Sequence, residues 1–433
     1  MSGTVREGET AGPIGLLAGG GTIPVSIAQT LTGRGRAVHV VSLIPVDPAL
    51  YSPATVTTIS IGQIGTMLHA FRAHGCRDVM ISGSLSRPDL ARIRPDLGFF
   101  LNLPSILALM RGGDDRLLRR VIRFFEGKGF RVRGMADETP SLLAGEGPLG
   151  DVAPSPSMIS DATLGLSVIG ALGALDMGQA VVVSNGRLVA VEGIEGTDGL
   201  LARLEGRADA IGGVLVKATK PEQERRVDLP TIGPVTVDKA KAAVLAGIAV
   251  EAGVTVVAEQ GVTCAAADVA GVALWGMRRD ANSPIAPAEG AATQGMTRVA
   301  LVGRVGSNRG GLRDTGLGLA ALAALMPFGG GTAAVVSREH VLAVGVAEPP
   351  VDVIARAAKA RPWGDRGSGR RRRGVVVLRS SNELEEPVIA AAARAGLRAI
   401  HVRGALDILP GVARAKLAAL ADRHQVALTE DVA

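Results

Sequence analysis

Aromatic residues make up only 2% of the 433-residue chain. Nucleic-acid binders that stack bases need exposed rings, so a partner of that kind is excluded. Cysteine is equally sparse. Cys76 and Cys264 are the only two, and neither belongs to a CxxC pattern, so a disulfide framework and a zinc site both drop out. A reducing, cytoplasmic setting follows. Long apolar runs are missing too. The stretches 162–175 and 315–328 fall short of the roughly 18 residues that cross a bilayer, and the first dozen residues lack a signal peptide's apolar core. The expected protein is soluble, or rests on a membrane without crossing it.

What is abundant is small and aliphatic. Hydrophobic residues make up 47% of the chain and charged ones 20%, with a net charge of +6. At roughly 100–200 residues per domain, the length allows two to four domains. Part of the positive excess sits in the run from Arg370 to Arg373, which reads as a solvated loop or a contact for anionic lipid.

The N-terminal third alternates short apolar strands with helical patterns. Strands are expected at Ile14–Ala18, 38–43, 79–82 and 130–132. Helices are expected from Pro24 to about Leu31 and over 115–127, the latter capped by Asp114. This pattern predicts a parallel α/β sheet of Rossmann-like type covered on both faces. The Gly- and Pro-rich stretch 145–157 reads as a linker. Beyond it a helix over 162–175, with Asp161 as its cap, precedes strands at Ala180–Ser184 and 188–191. The turn Asn185-Gly186 marks a hairpin.

The chain also repeats itself. Residues 161–204 align without gaps on 314–357, with about a third of positions identical. The third segment is therefore expected to be a degenerate copy of the middle domain. The expected divisions are 12–150, 157–277 and 297–433. Residues 277–295 would link the two copies. Glu195-Gly196-Thr197-Asp198 faces Glu348-Pro349-Pro350-Val351, and the polar stretch 217–233 has no counterpart of equal length. A duplicate that keeps its core and loses clustered polar residues has kept the fold without the chemistry.

Three segments are candidates for chemistry. Gly19-Gly20-Gly21-Thr22, between strand and helix, suits backbone contact with phosphate, or a tight turn needing positive φ. It is neither GxGxxG nor a P-loop. No acid follows the second strand to hold an adenosine ribose, which argues against a dinucleotide-dependent oxidoreductase. Glu195, Thr197 and Asp198 suit sugar hydroxyls or a metal, or else an acidic capped helix start. The stretch 217–233 crowds Lys217, Lys220, Gln223, Arg226, Asp228 and Thr231 into a loop stiffened by prolines. Phosphoryl transfer needs cations around the phosphate oxygens and an acid for metal or water. Asp228, between Val227 and Leu229, is the acid expected to point somewhere specific. His69 and His74 read as ordinary histidines without an acid partner.

Together these segments resemble the LpxI-type UDP-2,3-diacylglucosamine pyrophosphatases of lipid A biosynthesis. The matching motifs are Gly15 to Pro24, Gly83-Ser84-Leu85-Ser86-Arg87-Pro88, Gly113 to Arg119, Glu195 to Asp198, and 217–233 with its Arg-Val-Asp-Leu-Pro. The resemblance covers residues 12–277. It implies two α/β domains holding a lipid-linked UDP-sugar between them. It also implies magnesium-dependent hydrolysis to UMP and 2,3-diacylglucosamine 1-phosphate (lipid X). The essential aspartate maps to Asp228, which is expected to bind the metal or orient water. Gly20, Gly21, Gly83, Arg87, Glu195, Thr197, Asp198, Lys217, Lys220, Gln223, Arg226 and Thr231 are expected to bind substrate. Work at the inner-membrane surface follows, as does a homodimer, or a pseudo-dimer made by the extra copy. A non-catalytic nucleotide-sugar or lipid-binding protein is the alternative of a different class.

Overall fold

Short β-branched and aliphatic runs build three large sheets and one two-stranded sheet in the computed structural model. It describes residues 12–84, 95–102, 114–173, 175–220, 223–279, 299–302, 309–364, 372–404 and 411–431. The first sheet holds β1 (Ile14–Ala18), β2 (Val38–Ser42), β3 (Thr55–Thr58), β4 (Asp78–Ser82) and β5 (Arg131–Val132), in the order β3-β2-β1-β4-β5. Every pairing in it is parallel. Alternation along β1 sends Ile14, Leu16 and Ala18 to one buried cluster and Leu17 to another. At this central strand both faces are therefore dry, as a parallel sheet requires. The strand order reverses between β1 and β4, and α/β folds of this type place ligands at that switch point.

The other two large sheets each have six strands. One holds β6 (Gly147–Pro148), β7 (Ala180–Ser184), β8 (Arg187–Val191), β9 (Val214–Lys217), β11 (Gly247–Glu251) and β13 (Ala273–Met277), in the order β6-β13-β11-β9-β7-β8. The other holds β14 (Val299–Leu301), β15 (Ala333–Ser337), β16 (His340–Val344), β17 (Val375–Leu378), β18 (Ala399–Val402) and β19 (Ala427–Asp431), in the order β14-β19-β18-β17-β15-β16. Position by position the two orders coincide. The directions coincide as well: antiparallel, parallel, parallel, antiparallel, antiparallel. Even the irregularity in the β7–β8 hairpin, between Val182 and Val183, recurs between Val335 and Val336. A helix lies close on each sheet. A Cβ on Gly165 would come 2.5 Å from Val216, and one on Gly318 would come 2.5 Å from Val377. Only glycine permits either approach.

Several expectations are corrected. Asp161 does not cap its helix, because the helix runs Pro156–Gly173 and starts inside the expected linker. Proline at a first helical position is favourable, since its missing N–H would have no partner there. The Asp161 carboxylate instead accepts the backbone N–H groups of Asn185 and Gly186, at 3.0 and 2.7 Å, and holds the hairpin turn. Both turn residues take positive φ. Asp114 lies within the helix Asp114–Gly127 rather than before it. Strand β3 and the helix Ile64–Ala73 complete the first sheet's architecture.

Compactness divides the chain into two units. The first takes the chain to Glu146 together with 223–234 and 252–265; the second takes the rest, with both six-stranded sheets. The stretch expected to serve the middle domain thus packs with the first sheet. The reason is apolar burial. Val227 packs on one core of that sheet, and Leu229 and Val256 on the other. A side chain of that size contributes about 1.5–3 kcal/mol when fully buried, as Val256 is, and less when partly buried, as Val227 and Leu229 are. Strands β10 (Thr231–Ile232) and β12 (Val256–Val257) pair in parallel and tie the two inserted segments together.

Candidate active site

In the first unit, the loops after β1 and β4 clasp each other. Gly20 N–H donates to the Ser84 carbonyl at 2.7 Å, and Ser84 N–H donates to that of Gly20 at 2.9 Å. A Cβ on Gly19 would lie 2.5 Å from the Ser84 carbonyl oxygen. Gly83 has φ +97, and a Cβ there would lie 2.8 Å from the Gly19 carbonyl carbon. These glycines are thus required by close backbone approach. Gly21, at φ +99, has open space around it and lies where the helix Ile23–Gly33 begins. The expected phosphate loops therefore flank the switch point of the sheet. Arg87 lies outside the described residues.

Asp228 sits in the same unit, held on both sides. Val227 and Leu229 are its anchors, partly buried against the two cores named above. Its Oδ2 accepts from Gln223 Nε2 at 2.6 Å, and its N–H donates to the Glu224 carbonyl at 3.0 Å. Gln223 is buried, so its amide is a fixed donor. Arg226 does not join the carboxylate of Asp228. It pairs with Glu224 at 2.9 Å and Glu126 at 3.0 Å, and its hydrogen bond holds the Glu224 carboxyl below the usual range. Thr231 opens β10, and its hydroxyl donates to the Leu229 carbonyl at 3.3 Å. Past β12, Glu259 accepts from the Thr22 hydroxyl at 3.2 Å, linking this region to the glycine loop.

In the second unit, polar residues gather where β9 and β11 end. Lys217, the last residue of β9, is buried. Its ammonium donates to Thr197 Oγ1 at 2.9 Å, and that hydroxyl donates to Glu192 Oε1 at 2.8 Å. Glu192 Oε2 accepts from the Gln179 N–H at 2.8 Å. Thr197 and Lys217 are thus brought together. Neither Thr197 nor Asp198 caps the helix Gly196–Ala202, whose cap position is Glu195. Asp198 pairs with Lys239 at 2.8 Å near the surface. Lys220 pairs with Asp176 at 2.6 Å. Glu195 turns elsewhere, toward Arg203 and Arg356.

Sequence reasoning missed a second cluster there. Glu251, buried at the end of β11, accepts from the Thr219 N–H at 2.9 Å and the Thr219 hydroxyl at 2.8 Å. Arg279 approaches the same carboxylate at 3.3 Å and donates to the Thr219 carbonyl at 2.9 Å. This fixes the backbone between Lys217 and Lys220. The available signal was an acid ending the apolar run Gly247–Val250. Among the described residues, no group of three or more His, Cys, Asp or Glu is placed to hold a metal.

The comparisons with known proteins divide the chain in the same order. A family model described as the LpxI N-terminal domain matches residues 13–142, and one described as the LpxI C-terminal domain matches 145–275. The UDP-2,3-diacylglucosamine pyrophosphatase LpxI of Caulobacter vibrioides is 42% identical over 274 residues, covering 61% of this chain and 97% of that protein. A murein peptide ligase of Psychrobacter arcticus aligns over 98% of this chain and 91% of its own, with 11% identity and a TM-score of 0.20. A likeness that low carries no argument. Two adjacent domain matches and a relative covered almost end to end agree: the chain belongs to the LpxI family.

Proposed function

We propose that this protein hydrolyses UDP-2,3-diacylglucosamine to UMP and 2,3-diacylglucosamine 1-phosphate in lipid A biosynthesis. Besides the kinship, one observation carries the reading: Asp228 is a placed carboxylate rather than a solvated one. Its neighbours, partly buried, pack against two cores, and its Oδ2 is held by a buried amide. Water adds at phosphorus, the P–O–P bridge breaks, and the two phosphate monoesters separate. Asp228 orients the attacking water. Lys217 and Lys220 neutralise phosphate oxygens, with Thr197 and Glu192 fixing the Lys217 ammonium and Glu251 fixing the segment between the lysines. Gly21 and Gly83 present backbone to phosphate, and Gly20 holds the loop in place through its paired bonds with Ser84. Arg87, Asp198, Gln223, Arg226 and Thr231 complete the proposed substrate-binding set, Arg226 through the ion pairs described above, while Glu195, expected in that set, turns instead to Arg203 and Arg356.

Magnesium fits this donor set in one way. Magnesium typically takes one or two protein carboxylates plus the substrate's own phosphates. Asp228 supplies one, and no cluster of three acids, histidines or cysteines occurs among the described residues. When bound, the ion would neutralise charge on the phosphates. The acylated substrate belongs to the inner membrane, and no helix among the described residues is long and apolar enough to cross one. We therefore place the enzyme at the cytoplasmic membrane surface. Arg372 is engaged with the carbonyls of His424 and Gln425, so lipid contact by the arginine run would come from its other members.

The test is direct. Purified protein with UDP-2,3-diacylglucosamine and magnesium should release UMP, and a chelator should stop it. Saturable binding of the nucleotide lipid without UMP release would instead support a binding protein.

A further inference from the structure

An appended domain has no reason to meet its neighbour through equivalent residues, yet the two six-stranded sheets do so. Both lie in one compact unit. Under the gap-free alignment of 161–204 with 314–357, Glu195 corresponds to Glu348 and Arg203 to Arg356. These four residues close a ring. Arg203 reaches Glu348 at 2.6 Å, and Arg356 reaches Glu195 at 3.1 Å. Each arginine also approaches the glutamate of its own segment at 3.4 Å. Each donates in addition to a backbone carbonyl of its own sheet, Val191 for Arg203 and Val344 for Arg356, and these two are again equivalent. Exchanging the two segments maps the ring onto itself. That is the property of a two-fold interface, where residue i meets j and j meets i.

The apolar contacts follow the ring. The helices Pro156–Gly173 and Arg309–Leu325, which are equivalent, pack on each other. Ile169 and Leu172 from one share a single buried core with Leu322 and Leu325 from the other. The ring's side chains are only 13–16% exposed. Burial first, and the Arg356 charge second, push Arg203 down to about 10, against the pull of Glu348 and Glu195. A group so placed depends on its partners, because a charge left alone there would have neither water nor a counter-ion.

We propose that residues 299–431 stand in for a second subunit: the ring and the core beneath it are a homodimer interface taken inside one chain, and the protein is a monomer. The partner for which this face is built is a second copy of the middle domain, and the degenerate segment fills that position permanently. Glu195 is then a positioning residue of the interface, acting through Arg203 and Arg356. None of this rests on the reaction proposed above, and the tests read mass and stability.

Sedimentation of the full chain should give a single species of 44.1 kDa; a stable dimer would overturn the proposal. Arg203→Glu and Arg356→Glu should each lower the thermal midpoint by several degrees, and by similar amounts. Adding the facing reversal, Glu348→Arg to the first or Glu195→Arg to the second, should recover most of the loss. Unequal losses, or no recovery in either pair, would remove the two-fold relation. If the reversals do not yield folded protein, Arg203→Lys and Arg356→Lys make the same comparison of equal losses.

Discussion

The two six-stranded sheets share strand order and direction but carry different polar residues where their strands end. Both keep the carboxylate that clamps the hairpin: Asp161 holds Asn185 and Gly186, and Asp314 holds Arg338 and Glu339. Both keep the helix glycine, Gly165 or Gly318, and both keep one glutamate and one arginine of the ring. By contrast, the linked trio Glu192, Thr197 and Lys217 is lost entirely. Gly345 and Pro350 stand at the aligned positions of the first two, and Leu378 at the register position of Lys217. Under the proposed function, polar residues retained in both sheets belong to the frame, and those lost together are the candidates for chemistry. That rule sorts residues by consequence rather than by charge, and it moves Glu195 into the first class.

The largest expected effect tests the lost class. Asp228→Ala should cut UMP release by at least roughly 10²-fold, the lower range for removal of a positioned acid–base group, while circular dichroism stays unchanged. Next is Lys217→Leu, which installs what the other sheet carries. Turnover should fall by at least roughly tenfold, whereas the urea midpoint should fall only modestly, because Glu192 keeps its hydrogen bonds from Thr197 and the Gln179 N–H when the ammonium is removed. A large loss of stability would show that Lys217 belongs to the frame. Third, Gly165→Ala and Gly318→Ala should destabilise alike, each by about 1–3 kcal/mol from overpacking, as read by denaturant unfolding. A clear inequality would break the equivalence of the sheets.

The smallest effect concerns the loop that only one sheet retains. Arg226 lowers the Glu224 carboxyl below its ordinary 4.5. Its contribution is therefore complete above that value and is lost as pH falls through the folded-state value. Glu224→Gln should remove this part of the acid limb of stability, measured as the urea midpoint from pH 6 down to 3. An unchanged acid limb would leave the Arg226 pair with no part in holding the loop.

Much of the frame was legible because it is local. Ile14–Ala18 and Ala180–Ser184 are uninterrupted apolar runs, and Asn185-Gly186 names its own turn. The polar strand Thr55–Thr58 has no such signature. The helix start at Pro156 has the sequence character of a linker because proline marks both loops and first turns. The site was legible as composition, not as contacts. Lys217 and Thr197 could be nominated from their segments, but that one hydroxyl joins them is a tertiary fact. The Arg356 partner of Glu195 lies far along the chain, so an acid at a strand end looked like a ligand. Nothing local announces that Val227 and Leu229 belong to the cores of the first sheet.

That last attachment has an evolutionary consequence. The Asp228 segment is a guest whose anchorage is provided by the five-stranded sheet. Among the described residues there is one such host and two candidate donors. Whichever six-stranded sheet lacked a host had nothing to keep a long polar insertion in shape, so erosion there would have carried no penalty in folding. The shortened counterpart in the third segment is the expected remnant of a lodger without lodging.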